Sequence, residues 1–227
     1  MISIQQLSVS YSEDKKVLDD LSIDLPLKKI HGLVGLNGSG KTTFIKTLFG
    51  LHKADQGVLC YNEKKLTKKD IAYLPTENYF YNNITGNEYL GLFQDDIKEI
   101  NLWNELFQLP LNELIDGYST GMKKKLAISG ILHQDKPIMI LDEPFNGLDL
   151  ESSRIIRMIL LKLKEQGKTI IITSHILETL TSLCDYIHQL DNKKILVSKS
   201  KDEFEEFQKA IHQRIEKENS QIINKLF

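Results

Sequence analysis

The sequence has no long apolar run, and it contains only two cysteines and three arginines among its 227 residues. No segment approaches the ~20 consecutive apolar residues that cross a bilayer. The N-terminal stretch Met1–Gln5 alternates like a strand and lacks the charged-then-apolar pattern of a signal peptide. The sequence therefore predicts a chain that neither spans a membrane nor leaves the cytosol.

The charges do not favour a nucleic-acid-binding protein. Basic and acidic residues number 29 and 31, which gives a net charge of −2 and leaves no basic arm. Scarce arginine also weakens any prediction of base recognition, because arginine forks make the commonest specific contacts to bases. The unpatterned Cys60 and Cys184 indicate a reducing compartment, with both side chains as small core residues.

What the chain does contain is a phosphate-binding loop. Residues 35–43 read Gly-Leu-Asn-Gly-Ser-Gly-Lys-Thr-Thr, between a predicted strand at Ile30–Val34 and a predicted helix over Phe44–Gly50. Glycines let the backbone N–H groups and the helix N-terminus face phosphate oxygens. Lys41 is expected to reach the β- and γ-phosphates, and Thr42 to bind Mg²⁺. The residues predicted to contact the nucleoside triphosphate here are Gly35, Asn37, Gly38, Ser39, Gly40, Lys41, Thr42 and Thr43.

A second motif is an apolar strand that ends in two acids, Ile-Met-Ile-Leu-Asp-Glu at residues 138–143. Parallel buried strands are continuously apolar, and ligands bind at their carboxyl ends. Asp142 is therefore predicted to hold Mg²⁺. Glu143, one residue further on, is predicted to act as the general base that orients the attacking water.

A third motif, Tyr-Ser-Thr-Gly-Met at residues 118–122, lies between these two and precedes a predicted helix. With it the chain resembles the ATP-binding cassette (ABC) family, whose signature is usually Leu-Ser-Gly-Gly-Gln. Ser119 and Gly121 match that signature, and the Tyr-Ser-x-Gly-Met-Lys form resembles the exporter branch that handles drugs, bacteriocins and lipids. The resemblance implies that Ser119 and Gly121 bind the γ-phosphate of ATP held by a partner subunit. Lys123, Lys124 and Lys125 are expected to add positive potential there.

The same resemblance assigns three further residues. Asp149, in Asn-Gly-Leu-Asp, resembles the anchor of the loop that crosses the dimer interface. His175, at the end of the predicted buried strand Ile170–His175, resembles the histidine that contacts the γ-phosphate and maintains the catalytic geometry. Tyr11 resembles the aromatic residue that stacks on adenine, a contact that tolerates different bases.

One position departs from the family. The strand Ile71–Pro75 is usually followed by a glutamine that binds Mg²⁺ and the attacking water, but this chain has Thr76 and then Glu77. Thr76 still offers a hydroxyl to the metal, and Glu77 could serve as an acceptor, yet neither has both the donor and the acceptor of an amide.

The order of these motifs predicts an α/β fold of the P-loop nucleotide hydrolase class. A mixed sheet forms the core, with an N-terminal antiparallel β region and an inserted α-helical subdomain. Asp19-Asp20 is expected to form a turn in that β region. We expect one domain over residues 1–227, with a catalytic lobe from 1–76 and 135–200, a helical signature lobe over 77–134 and a helical tail over 201–227.

Two segments keep alternative interpretations. Tyr79, Phe80, Tyr81 and Ile84 form either part of the helical subdomain's core or a groove for a helix of a membrane partner. The tail has helical apolar spacing and either docks on the catalytic core or contacts a partner. Its apolar positions are Phe204, Phe207, Ile211, Ile215, Ile222 and Leu226.

The resemblance implies an ATPase that uses ATP and Mg²⁺, dimerises with itself or a relative, and energises a separate membrane-spanning permease. It would sit on the inner face of the membrane through that permease, and the exporter branch favours export. A regulatory subunit with little hydrolysis and a soluble, non-transport ATPase are the alternatives. The sequence leaves the cargo open.

Thr76 yields the first testable prediction. Because a threonine hydroxyl lacks the donor–acceptor pair of glutamine, we expect slow hydrolysis or an altered response to the membrane partner. The Thr76→Gln variant should therefore differ from the wild type in its stimulated ATP turnover. An unchanged turnover contradicts the prediction.

Overall fold

The computed structural model describes residues 1–12 and 15–226, and within them ten strands and seven α-helices. The strands are β1 Ile2–Ser10, β2 Lys16–Leu25, β3 Ile30–Val34, β4 Gln56–Tyr61, β5 Lys64–Lys65, β6 Ile71–Leu74, β7 Ile138–Asp142, β8 Thr169–Thr173, β9 Tyr186–Asp191 and β10 Lys194–Ser200. The helices are α1 Lys41–Phe49, α2 Gly86–Gly91, α3 Ile97–Phe107, α4 Thr120–Leu132, α5 Leu150–Glu165, α6 Leu177–Thr181 and α7 Phe204–Leu226. None of these helices is both long and apolar enough to cross a membrane.

Two sheets form the scaffold, as the predicted α/β class requires. The larger has the order β10-β9-β3-β8-β7-β6; its strands β9, β3, β8, β7 and β6 run parallel, and β10 is antiparallel to β9. The smaller, β2-β1-β4-β5, is antiparallel. Since β3, β6, β7 and β8 are parallel, their carboxyl ends lie at one edge of the sheet, where the predicted motifs follow them.

The central strands are buried on both faces. Every residue of β7 and β8 is buried, which explains why the first four residues of β7 and the three central residues of β8 are apolar. Ile140 and Ile171 pack towards the smaller sheet, whereas Met139 and Ile170 pack towards the helices. The scaffold that carries Asp142 and His175 is therefore enclosed by two hydrophobic clusters.

The expected Asp19-Asp20 turn is wrong. Both residues lie inside β2, which begins at Lys16. Asp20 has a φ of 50° where the pairing register with β1 shifts, and its N–H donates to Ser8 Oγ at 3.0 Å. A β-bulge accommodates the two aspartates, since a bulge tolerates a left-handed residue within a strand.

The segment from 77 to 134 is helical, with α2, α3 and α4 and an isolated bridge between Thr85 and Leu114. Capping residues define its helices. The Thr85 side chain accepts the Glu88 N–H at the start of α2, and Ser119 Oγ accepts the Met122 N–H at the start of α4.

In the aromatic segment before α2, two side chains fit the interpretation as core and two fit the interpretation as a contact surface for a partner. Phe80 and Ile84 pack against the main hydrophobic cluster, whereas Tyr79 and Tyr81 are 84% and 73% exposed. In the tail, Phe204 and Phe207 are buried and Ile211 packs against the same cluster. The predicted apolar positions Ile215 and Ile222 lie outside the side chains that the structure describes.

Cys184 is buried, as predicted, but Cys60 is only partly buried, so its assignment to the core is wrong in part. The reason is that the smaller sheet has one face open to solvent around β4, where most residues are exposed or half-buried.

A buried pair of histidines joins three strands and the end of a fourth. His31 Nδ1 lies 3.1 Å from His188 Nε2, His31 Nε2 lies 2.8 Å from the Pro26 carbonyl oxygen, and His188 Nδ1 lies 2.9 Å from Ser198 Oγ. A carbonyl only accepts, so His31 Nε2 carries a proton, and in the neutral pair His188 Nε2 donates to His31 Nδ1. Burial lowers the pKa of both rings, that of His188 to about 3.

This pair predicts loss of stability in mild acid. In the unfolded state the His188 ring takes up a proton near pH 6.5, whereas in the folded state it stays neutral until about pH 3. Its contribution to the free energy of unfolding is therefore present above pH 6.5 and is lost as the pH falls from 6.5 towards the folded pKa. Between about pH 7 and about pH 5, the free energy of unfolding should fall by about 2 kcal/mol more in the wild type than in His188→Gln. Asp185 raises and Lys29 lowers the pKa of His31, and neither side chain is changed in the variant.

Urea unfolding at the two pH values measures this difference. His212→Gln is the matched control, because that ring is half exposed on α7. Equal pH dependence in the wild type and His188→Gln would show that the buried pair does not take part in the acid transition.

Candidate functional site

A cavity of about 460 Å³ opens where the strands β3, β6, β7 and β8 end. Its lining residues come from segments as far apart in the sequence as Tyr11 and His175. Its lining consists of Tyr11, Lys15, Val17, Asn37, Gly38, Gly40, Lys41, Thr42, Thr43, Thr76, Asp142, Glu143, Asn146 and His175. Eleven of these were predicted from the sequence, whereas Lys15, Val17 and Asn146 were not.

The glycine loop connects β3 to α1, and two of its glycines have a positive φ in the left-handed region. Gly38 has a φ of 81°, and Gly40, the N-cap of α1, has a φ of 107°. The ideal Cβ position of Gly40 lies only 3.0 Å from a Leu18 side-chain carbon. Glycine is therefore needed at this N-cap for both conformation and space.

Gly35 and Ser39 lie behind the loop rather than on the cavity wall. A Cβ on Gly35 would lie 2.3 Å from the Leu190 carbonyl oxygen, so the loop packs directly on β9. Ser39 Oγ is buried and has no hydrogen-bond partner in the described chain. A buried hydroxyl without a partner is costly, so the loop is suited to an additional polar group.

Lys41 lies along its own loop. Its Nζ donates to the carbonyl oxygens of Gly35 at 2.7 Å and Leu36 at 3.2 Å. Burial lowers the pKa of Lys41, while the nearby charges of Glu143 and Asp142 oppose that shift. The ammonium group thus borders the cavity without a direct ion pair to either acid, so it can bind an anion there.

Asp142 accepts hydrogen bonds from three separate parts of the site. It is 2% exposed, and each of its oxygens accepts from hydroxyl groups that other elements supply. Oδ2 accepts from Thr76 Oγ1 at 2.7 Å and from Thr42 Oγ1 at 3.3 Å, and Oδ1 accepts from Thr173 Oγ1. These bonds satisfy a carboxylate whose burial would otherwise be expensive.

Thr173 is a site residue that sequence reasoning missed. Besides donating to Asp142, its hydroxyl accepts the Glu143 N–H at 3.0 Å. Glu143 has a φ of 49°, a conformation that non-glycine residues rarely adopt without support from their surroundings. A polar residue ending an otherwise isoleucine-rich buried strand is the sequence signal that would have pointed to it.

Glu143 faces His175 across the cavity. Glu143 Oε2 lies 3.1 Å from His175 Nδ1, and the two side chains are 13% and 50% exposed, respectively. A largely buried acid in contact with a more exposed imidazole can position a water molecule and an anion together.

Tyr11 lies at the mouth of the cavity and is 53% exposed. Its hydroxyl lies 2.9 Å from Thr43 Oγ1 and 3.4 Å from His52 Nε2. The phenol oxygen is thus held while much of the residue remains open, which leaves ring surface for stacking.

The remaining predicted residues do not line this cavity. Ser119 and Gly121 are at the start of α4, where a Cβ on Gly121 would lie 3.1 Å from the Gly147 carbonyl oxygen. Asp149 caps α5, accepting the Ser152 N–H at 2.7 Å. The structure therefore brings the signature beside the loop that precedes α5, outside the cavity wall.

Two expectations about neighbouring charges are wrong. Lys124 does not add potential at the signature surface, because it is 3% exposed and its Nζ donates to the Thr76 carbonyl oxygen at 3.2 Å. Helical periodicity turns it away from its neighbours Lys123 and Lys125. Glu77 does not line the cavity; it accepts a hydrogen bond from the exposed Tyr79 at 2.9 Å.

Oxygen ligands for a hard cation converge at Asp142. Carboxylate and hydroxyl oxygens are the groups that Mg²⁺ prefers, usually completed by water and phosphate. The described residues hold no cluster of three His, Cys, Asp or Glu side chains that could bind a metal without such help. The donor set of Asp142, Thr42 and Thr76 fits Mg²⁺ bound together with a nucleotide.

The family model described as ABC transporter matches residues 18–146. That range contains the glycine loop, the signature and the two acids, but not Tyr11 or His175.

Individual relatives agree with the family model. The chain is 31% identical to a putative ABC transporter ATP-binding protein of Listeria monocytogenes, over 86% of this chain and 81% of that protein. It is 29% identical to the lantibiotic transport ATP-binding protein SrtF of Streptococcus pyogenes, over 95% and 97% of the two chains. The solved structure of an ATP-binding subunit of an ABC transporter superposes with a TM-score of 0.82 at 27% identity, covering 89% of this chain and 91% of that one.

Thr173→Val tests the positioning of the two acids. Valine keeps the shape but leaves the Glu143 N–H without an acceptor and Asp142 without one donor. ATP turnover should fall about tenfold or more, since an unsatisfied buried polar group costs about 1–3 kcal/mol. Steady-state phosphate release measures it.

Thr169→Val is the matched control at the other end of β8, where the hydroxyl accepts from the Lys28 N–H, far from the two acids. Thr173→Ser, which retains the hydroxyl, should recover turnover. Wild-type turnover in Thr173→Val would rule out this positioning role.

Proposed function

The chain belongs to the ABC transporter family, and from this premise we propose how its site uses ATP to drive a separate permease. The protein is the ATP-binding and ATP-hydrolysing subunit of a transporter. The observation that carries the mechanism is one cavity in which Lys41 from α1, Asp142 and Glu143 from the end of β7, and His175 from the segment after β8 come together.

The triphosphate occupies the glycine loop at the N-terminus of α1. Backbone N–H groups and the helix dipole face its oxygens, and Lys41 exchanges its contacts with the loop carbonyls for the β- and γ-phosphates. Ser39 belongs to this loop through its backbone, because its Oγ is buried behind the loop and does not line the cavity. Tyr11 stacks on the adenine at the mouth of the cavity.

Mg²⁺ fits the oxygen set of Thr42, Asp142 and Thr76. When bound, it neutralises phosphate charge. Thr76, which departs from the family's glutamine, reaches this set because its hydroxyl already bonds to Asp142.

Glu143 accepts the proton of a water molecule that attacks the γ-phosphorus, while the bond to the β–γ bridging oxygen breaks and yields ADP and phosphate. His175 contacts the γ-phosphate and orients Glu143, 3.1 Å away. Thr173 fixes the backbone of Glu143 in its left-handed conformation. Positioning and preorganised charge supply most of the acceleration.

The second half of the site comes from another subunit. Ser119 and Gly121 form an exposed-to-half-buried helix start that does not line their own cavity. A helix N-terminus is suited to bind an anion. Two copies, or this chain and a relative, therefore enclose two ATP molecules head to tail, each signature facing the other's γ-phosphate.

We further propose an export-type transporter on the inner face of the membrane, to which a permease attaches this chain. The Tyr-Ser-x-Gly-Met signature and the similarity to SrtF, whose name states lantibiotic transport, support that direction. The exposed Tyr79 and Tyr81 beside the helical segment favour a permease contact there.

Glu143→Gln tests the proposed base. The amide keeps the shape but cannot take a proton, so ATP turnover should fall about 100-fold or more. ATP should still bind, and size-exclusion chromatography with ATP should show a stable dimer. Glu165→Gln, at an exposed acid at the end of α5, is the control. Wild-type hydrolysis in Glu143→Gln excludes this residue as the base.

The same trapped variant, carrying a tag, tests the permease. Capture from detergent-solubilised membranes should recover, in stoichiometric amount, a polypeptide with several spans of about 20 apolar residues each. Recovery of the dimer with no membrane protein would contradict the transport assignment while leaving the catalytic one intact.

A further inference from the structure

A second and larger cavity, of about 830 Å³, lies at the carboxyl end of α1, against β4 and β5. Its size is within the range of small-molecule sites. Its lining includes Leu51, Val58 and Leu59 together with Lys53, Lys65 and Lys68. None of them belongs to the nucleotide cavity.

The wall of this cavity is apolar. Leu48 and Leu66 are buried beneath it, and Phe49 and Leu59 pack against the same hydrophobic cluster. Leu51 and Val58 remain 54% and 56% exposed. Two large apolar side chains thus face solvent at a concave site, where an apolar ligand would cover them.

The charged side chains that line the cavity are all lysines. Lys53, Lys65 and Lys68 are exposed lining residues, and no lining residue is acidic. None of these three lysines forms an ion pair with a carboxylate in the described part of the chain. Lys68 Nζ lies 5.6 Å from the centre of the Phe49 ring, which places a cation next to the apolar wall.

A cavity with an apolar wall and lysines at its rim is complementary to a ligand that has both an apolar part and an anionic group. We propose that this cavity binds a small amphipathic anion, with an apolar ring system or chain against Leu51, Val58 and Leu59. Its single carboxylate or sulfonate head lies between Lys65 and Lys68. The occupant is a free solute, because the cavity is a local concavity of one helix end and one hairpin.

His52 links this cavity to the nucleotide site. Its ring lines the cavity and meets the Tyr11 ring edge-on, with centroids 5.1 Å apart. The Tyr11 hydroxyl contacts His52 Nε2 and Thr43 Oγ1, and Tyr11 lines the nucleotide cavity. A ligand against His52 therefore acts on the residue that, according to the proposed function, stacks on adenine.

Fluorescence titration with 1-anilinonaphthalene-8-sulfonate, an aromatic sulfonate, tests the site directly. The double variant Lys65→Glu/Lys68→Glu reverses the rim charge and should bind the probe about tenfold more weakly, as expected for two exposed charge contacts. Val58→Trp fills the cavity from an exposed position and should also weaken binding.

Lys98→Glu/Lys217→Glu is the matched control, since it makes the same charge change at exposed lysines outside the cavity. Circular dichroism melts confirm that each variant is folded. Equal probe affinity in the wild type and in both cavity variants overturns the proposal. Co-sedimentation of the wild type with anionic phospholipid vesicles, lost in the cavity double variant, overturns the free solute as occupant.

Calorimetric titration with a non-hydrolysable ATP analogue tests the link. Probe at a concentration close to its wild-type Kd should change the analogue's affinity in the wild type and much less in Lys65→Glu/Lys68→Glu, which binds the probe more weakly. By linkage, the saturating effects of probe on analogue and of analogue on probe should be equal in the wild type. Independent affinities overturn the link through His52. The proposed function is judged separately, because analogue binding without probe depends only on the nucleotide cavity.

Discussion

The buried carboxylate of Asp142 is the constraint on which the site depends. A carboxyl group that is 2% exposed is tolerated only when its oxygens are satisfied, and here hydroxyls from α1, from β8 and from the segment after β6 do this. Each hydroxyl belongs to a different part of the sheet edge. The carboxylate therefore fixes the relative positions of the glycine loop, the Thr76 segment and β8.

The catalytic acid follows from that arrangement. Thr173 bonds at once to Asp142 and to the Glu143 N–H, so the left-handed backbone of Glu143 is fixed by the same hydroxyl that satisfies its neighbour. Glu143 then meets His175, from the segment after β8. The signature at Ser119 lies outside this set, which is why we propose that a second subunit completes the site.

Patterns that act locally were predictable. The strand β3 has the bounds that were predicted from sequence, and β7 begins where predicted but ends at Asp142 instead of Glu143. Both strands were recognisable because parallel strands buried on both faces are mostly apolar. The Asp19-Asp20 turn was wrong because pairing with β1 decides where a strand bends, and a bulge accepts two aspartates. Lys124 was misjudged because its burial depends on how α4 packs against the Thr76 segment, which composition does not reveal.

The sequence by itself determined the ATP-binding loop, the two acids at the end of β7 and the family to which the chain belongs, because each is a short motif whose chemistry depends on adjacent residues. Only the tertiary structure decided the hydroxyl partners of Asp142, the support of Glu143 by Thr173, the buried pair of His31 and His188, and the lysine-rimmed cavity at the end of α1. These contacts join residues far apart in the chain, and long-range pairing arises from packing rather than from local pattern.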